Sequence, residues 1–169
     1  MVLPILKYGD PVLQKLCEPV TVFDADLEQL AKNMVETMYA APGVGLAAPQ
    51  VGVLKRFIVL DVTVGQKDGN LIVLVNPEII AAEGEQFEDE GCLSIPDFTA
   101  KVHRPYRVVV SGKDIHGKEA IIEGEGLLSR VISHEIDHLN GILFIDHLSP
   151  IKRDIIKRKI RKKVRAGEW

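Results

Sequence analysis

A chain of 169 residues with a net charge of −3 and an ordinary apolar fraction is long enough to bury one core and too short to expect two, so residues 1–169 read as a single domain. Aromatics make up 5% of it, which leaves the core to Val, Ile, Leu and Ala, and no apolar run approaches the ~20 residues that a membrane span needs. Val2 to Leu6 is too short and too weakly flanked for a signal peptide, so the expectation is an intracellular, cytoplasmic protein without a membrane partner, its cysteines Cys17 and Cys92 unpaired.

In chain order, Pro4, Gly9-Asp10-Pro11 and Pro19 predict extended segments and turns around a short helical piece near Val12 to Cys17. Asp24 or Asp26 caps a helix whose apolar positions Leu27, Leu30, Ala31, Met34, Val35 and Met38 keep a helical period; Pro42 and Gly43 end it. Phe57 to Val62 and Leu71 to Val75 read as paired strands about the turn-rich Gly65 to Asn70. Further strands are expected at Glu78 to Glu85, Arg107 to Lys113 and Glu119 to Glu125, the last two joined by a turn at Asp114-Ile115-His116-Gly117. Leu127 to Leu139 is predicted as a helix stopped by Asn140-Gly141 and apolar on several sides, hence buried. Ser149 caps a last helix with Pro150 at its first position, and Ile151, Ile155, Ile160 and Val164 are its expected apolar stripe.

The buried helix carries His134-Glu135-Ile136-Asp137-His138. Residues four apart share a helix face, so both imidazoles reach one metal ion, while Glu135, rotated by about 100°, sits beside that face and touches a coordinated water without ligating. A divalent ion lowers the pKa of such a water toward ~7 and the glutamate takes its proton, so the pattern predicts hydrolysis of a carbonyl compound.

A catalytic site normally has a third protein ligand. A metzincin would place a histidine six residues after His138, where Phe144 stands, and a gluzincin needs a downstream glutamate where this chain offers basic helix and Asp154. The best remaining candidate is Cys92 in Glu90-Gly91-Cys92-Leu93-Ser94, a thiolate suited to zinc or iron(II); the acidic run ahead of it and Pro96 behind it suggest a partly exposed turn. A lone cysteine is otherwise a small buried hydrophobe, the reading that fits Cys17. Gly43 and Gly45 allow a strained loop and a close backbone approach.

Gly43-Val44-Gly45-Leu46-Ala47-Ala48-Pro49-Gln50, Glu90-Gly91-Cys92-Leu93-Ser94 and His134-Glu135-Ile136-Asp137-His138 together resemble the three ordered motifs of the peptide deformylases, and the resemblance runs over essentially the whole chain. It implies an α+β fold with antiparallel sheets around a central helix bearing the histidines, and removal of the formyl group from the N-terminal formylmethionine of nascent chains. It implies Cys92, His134 and His138 as ligands of iron(II), replaceable by zinc or nickel. Glu135 would be general base then acid, with Gln50 and the backbone N–H of Leu93 as oxyanion donors. Taken alone, Gln50 reads as a surface loop residue. Val44, Gly45 and Gly91 would pair with the peptide main chain, and Leu127 and Val131 would line the methionine pocket. Arg130 departs from an apolar wall; its stem is expected on the pocket rim with the head in water. A metallopeptidase using the same glutamate is the alternative function, and a monomer is expected.

Residues 151 to 169 hold nine Lys/Arg against two acids, a local balance of +7 on a body of −10. The basic helix over 150–165 is either a solvated face or a dock for ribosomal RNA.

Overall fold

In the computed structural model, which describes residues 1–169, the chain starts as extended segments around one 3₁₀ turn at Pro11–Gln14. Helix α1 (Ala25–Ala40) begins where the Asp24 carboxylate accepts the Leu27 N–H at 3.1 Å, so Asp24 rather than Asp26 is the cap. Strands β1 (Gly45–Ala47), β2 (Phe57–Leu60), β3 (Ile72–Glu83), β6 (Arg107–Lys113) and β7 (Glu119–Glu125) form an antiparallel sheet in the order β1-β2-β3-β6-β7. Strands β4 (Gln86–Cys92) and β5 (Ile95–Arg104) make a separate antiparallel hairpin. Helix α2 (Leu127–Leu139) and helix α3 (Pro150–Arg165) follow, with a 3₁₀ turn at Phe144–His147 between them.

Period two in β2 divides the core. Ile58 and Leu60 face α2 with Leu74, Val108 and Val110, whereas Phe57 and Val59 face α1 with Met34, Met38 and Leu46. Val131, Ile132, Ile136 and Leu139 hold α2 on the sheet, each contributing ~1.5–3 kcal/mol before conformational entropy is charged. Cys17 packs in this layer as the small buried hydrophobe it was expected to be, and burial raises its thiol pKa. Both cysteines are free. Gly141 closes α2 with a φ of +73°, and a Cβ there would meet the Gln14 carbonyl oxygen at 2.6 Å.

Two expectations need correcting. Leu71 to Val75 and Glu78 to Glu85 are one strand, β3, carrying a bulge at Asn76-Pro77; proline cannot donate to the ladder there, and the Asn76 side chain instead pairs with both backbone groups of Val20. Around Cys92 the expected partly exposed turn is present: Leu93-Ser94 turn between Cys92 and Ile95 at the end of a β4–β5 hairpin whose two strands are not among the predicted elements. The α3 stripe is Ile156 and Ile160, packed against Ile95, Val102 and Phe144, while Ile151, Ile155 and Val164 are exposed.

Candidate metal centre

Helix α2 presents His134 and His138 on one face with their Nε2 atoms 3.2 Å apart, and the end of β4 brings the Cys92 Sγ to 3.3 Å from His138 Nε2. All three ligand atoms lie within 4.8 Å of one another. A tetrahedral ion with bonds of about 2.0–2.1 Å to nitrogen and 2.3 Å to sulfur separates its ligand atoms by roughly 3.3–3.6 Å, so the set fits a zinc- or iron-like cation. The Glu135 Oε1 oxygen beside it is buried and has no hydrogen-bond partner. A polar atom left so is costly unless an occupant of the site satisfies it.

Glu90, the first residue of the second sequence segment, was not singled out for a role from the sequence. Its Oε2 accepts from His134 Nδ1 at 2.8 Å, which leaves Nε2 as the ligating nitrogen. Arg104 grips the same carboxylate with two nitrogens, at 3.1 and 2.6 Å, and reaches Asp137 Oδ2 at 2.6 Å. Arg130 Nη1 reaches Glu90 Oε1 at 3.0 Å and the Val102 carbonyl at 3.1 Å. This corrects the expected wet head on Arg130, which is 4% exposed. Burial pushes the Glu90 pKa upward, but His134 and Arg104 outweigh it and hold the carboxyl at about 2. Phe144, which excluded one protease class, packs its ring parallel to His134 at 6.5 Å.

Burial disfavours charge on His134, yet the neighbouring Glu135, Cys92 and Glu90 hold its pKa well above the usual imidazole range, whereas burial and the charge on His134 push His138 well below it. Burial also pushes Glu135 up to about 7.

Gln50 sits in the 3₁₀ turn Ala48–Val51 and is 1% exposed, not a surface residue. Its Oε1 accepts from the Ala47 N–H at 2.9 Å, and its Nε2 donates to Ser94 Oγ at 3.1 Å and toward Cys92 Sγ at 3.6 Å. Ser94, also unassigned from the sequence, thus fixes which way the amide points. Gly43 and Gly45 are not in left-handed backbone; they allow close approach instead. A Cβ on Gly45 would lie 2.5 Å from Glu135 Oε2, and one on Gly43 2.7 Å from the Leu93 side chain.

These groups line one cleft of about 830 Å³. Val44, Gly45, Gln50, Gly91, Cys92, Leu93, His134 and Glu135 are on its wall, and Leu127 and Val131 form part of an apolar side. Val131 is buried and also in the core, so both readings of it hold; Leu127 is exposed.

The family model described as "Polypeptide deformylase" matches residues 2–154. Over 169 residues, all of this chain and 99% of the relative, the sequence is 52% identical to a peptide deformylase of Acidobacterium capsulatum. It is 53% identical over 162 residues to one of Thermodesulfovibrio yellowstonii, with 96% and 98% of the two chains covered. The crystal structure of a peptide deformylase from Legionella pneumophila superposes with a TM-score of 0.92 at 46% identity, covering 99% of this chain and 98% of that one.

Proposed function

Because the chain belongs to the peptide deformylase family, hydrolases that take the formyl group off the N-terminal formylmethionine of nascent polypeptides and release formate, we propose specific roles for its cleft residues in that reaction. The metallopeptidase alternative is set aside by the same membership. Members of the family are metalloenzymes, and we assign Cys92, His134 and His138 as the metal ligands. When bound there, a divalent ion supplies Lewis-acid polarisation and a lowered water pKa. The observation that carries the assignment is the unpartnered Oε1 of Glu135 buried beside three converging donors.

Glu135 accepts a proton from the attacking water and returns one to the departing amine nitrogen as the formyl C–N bond breaks. Gln50 Nε2 and the Leu93 N–H donate to the oxygen on which negative charge develops; removing one such donor typically costs ~2.7–4 kcal/mol in the barrier. Ser94 keeps the Gln50 amide turned with nitrogen toward the site. Val44, Gly45 and Gly91 offer main chain to the extended peptide, and Leu127 and Val131 take the methionine side chain. Glu90, held by Arg104 and Arg130, fixes the orientation of His134.

Iron(II) is the proposed native ion, with zinc or nickel substituting, since one thiolate and two imidazoles suit all three. With iron native, oxygen inactivates the enzyme by oxidising the metal or Cys92. Residues 1–169 act as one domain and one monomer in the cytoplasm, where nascent chains emerge. The basic face of α3 docks on ribosomal RNA through its clustered Lys and Arg. No helix is long and apolar enough to cross a membrane. Formate release from formyl-Met-Ala-Ser against digestion of casein tests the reading: the first is expected without the second, and casein cleavage without formate overturns it.

A further inference from the structure

The cleft has a side that the proposed chemistry does not use. Ile95, Pro96, Asp97, Phe98 and Thr99, at the start of β5, line it, yet none belongs to the ligand, proton-transfer or methionine-pocket groups. At about 830 Å³ the cleft stands toward the upper end of the ~300–1,000 Å³ that holds a drug-sized ligand, leaving room for residues beyond formylmethionine. Asp97 holds a φ of +71°, left-handed backbone that aspartate tolerates better than most residues, where the β4–β5 register shifts between Gly91 and Cys92.

What holds this rim comes from the far end of the chain. Lys163 of α3 reaches Asp97 Oδ2 at 3.3 Å and stands 5.9 Å over the Phe98 ring. The Trp169 ring lies 6.2 Å from that of Phe98. Trp169 is itself pinned: its Nε1–H donates to the Tyr8 carbonyl at 2.9 Å, and its backbone oxygen accepts from Lys7 Nζ at 3.1 Å. The same N-terminal segment donates from Tyr8 N–H to the Ser94 carbonyl at 2.8 Å and from Leu6 N–H to the Gln50 carbonyl at 2.7 Å. Both chain ends therefore close on the rim and on the loops that carry Gln50 and Ser94.

We propose that Trp169, assisted by Lys163, is a positioning residue for substrate length: through Phe98 it sets the wall against which the peptide beyond the formylated methionine lies. The half-buried Phe98–Trp169 contact carries more of this than the Lys163–Asp97 pair, because Asp97 is exposed and exposed ion pairs are weak. The proposal rests on the deformylase reading and adds a determinant outside the ligand set.

The test compares formyl-Met with formyl-Met-Ala-Ser on the metal-loaded full chain. In Trp169→Ala, KM for the longer substrate is expected to rise about 3- to 10-fold with kcat within twofold, while both constants for formyl-Met stay unchanged; Trp169→Phe restores the longer substrate. A general loosening of the fold would move both substrates together, and that outcome, or no change in either, overturns the proposal. Trp169 is the sole tryptophan, so an unmutated rim also reports directly. Adding formyl-Met-Ala-Ser to the Glu135→Gln protein is expected to shift its emission where formyl-Met does not, and identical responses to the two contradict the assignment. Wild-type formate release is measured first: its absence sinks the deformylase reading, whereas release with the wrong length dependence sinks only this proposal.

Discussion

Two sets of charges flank the cleft, and they are built on opposite principles. Behind the metal centre, Glu90, Arg104 and Arg130 are nearly inaccessible, and every link among them has short, directed geometry. Along α3, nine basic residues stand mostly in solvent around only two buried apolar anchors, Ile156 and Ile160. The buried set is committed to one arrangement, because removing a member strands a desolvated charge. The solvated set is free to meet a partner and contributes little to folding. Orientation of His134 is thus fixed internally, whereas most of α3's charge plays no part in the packing.

The sharpest way to break the contrast is Arg104→Ala. It takes the two-nitrogen grip from buried Glu90, leaving it to Arg130 and His134 alone, and takes the guanidinium from Asp137, so unfolding free energy is expected to fall by up to ~3–5 kcal/mol in chemical denaturation. Metal affinity should drop by ~10–100-fold, as when other groups that orient a ligating histidine are lost. A loss under 1 kcal/mol would place the network with the surface pairs. Next comes Gly45→Ala, whose methyl would displace the Glu135 carboxylate: kcat should fall about 10²-fold, as for a ~1 Å misplacement, with metal content unchanged by elemental analysis.

Asp61 sharpens the comparison on the acid side. Burial pushes its pKa up, but Thr63, Tyr39 and Gly65 donate to it and bring the net value below the usual carboxylate range. A folded pKa below the unfolded one gives stability that is present above pH ~3.9 and lost as pH falls through the folded value. The stability gap between wild type and Asp61→Asn should therefore be constant from neutral pH down to ~5 and narrow below ~3.9. Smallest in folding terms is neutralising Lys157, Lys159 and Lys162 to Gln: stability should move by under ~1 kcal/mol, while co-sedimentation with ribosomes at low salt should drop at least about tenfold. Salt-independent, undiminished co-sedimentation would leave α3 a solvated face.

The α2 helix and its histidines were legible because helical period, cap and ligand spacing all agree within 15 residues of sequence. The β4 strand was not, since its inward-facing side chain is Glu90 rather than a hydrophobe, and its outward Phe87 breaks the alternation expected of a half-buried strand. A signal does exist in β5, where Ala100, Val102 and Arg104 alternate with Thr99, Lys101 and His103. The buried head of Arg130 has no local signature, because its partner Glu90 lies 40 positions away. In α3 both Ile151/Ile155 and Ile156/Ile160 have helical spacing, and only packing against β5 and Phe144 selects the second pair.

In the proposed reaction Glu135 moves the proton while Cys92, His134 and His138 hold the metal. Formate release by Glu135→Gln, measured beside the metal content of the same anaerobic preparation, tests it most directly. A fall in kcat of ~10²–10⁴-fold with one metal ion per chain retained is expected; full activity in that variant, or loss of activity only in step with loss of metal, would overturn these roles.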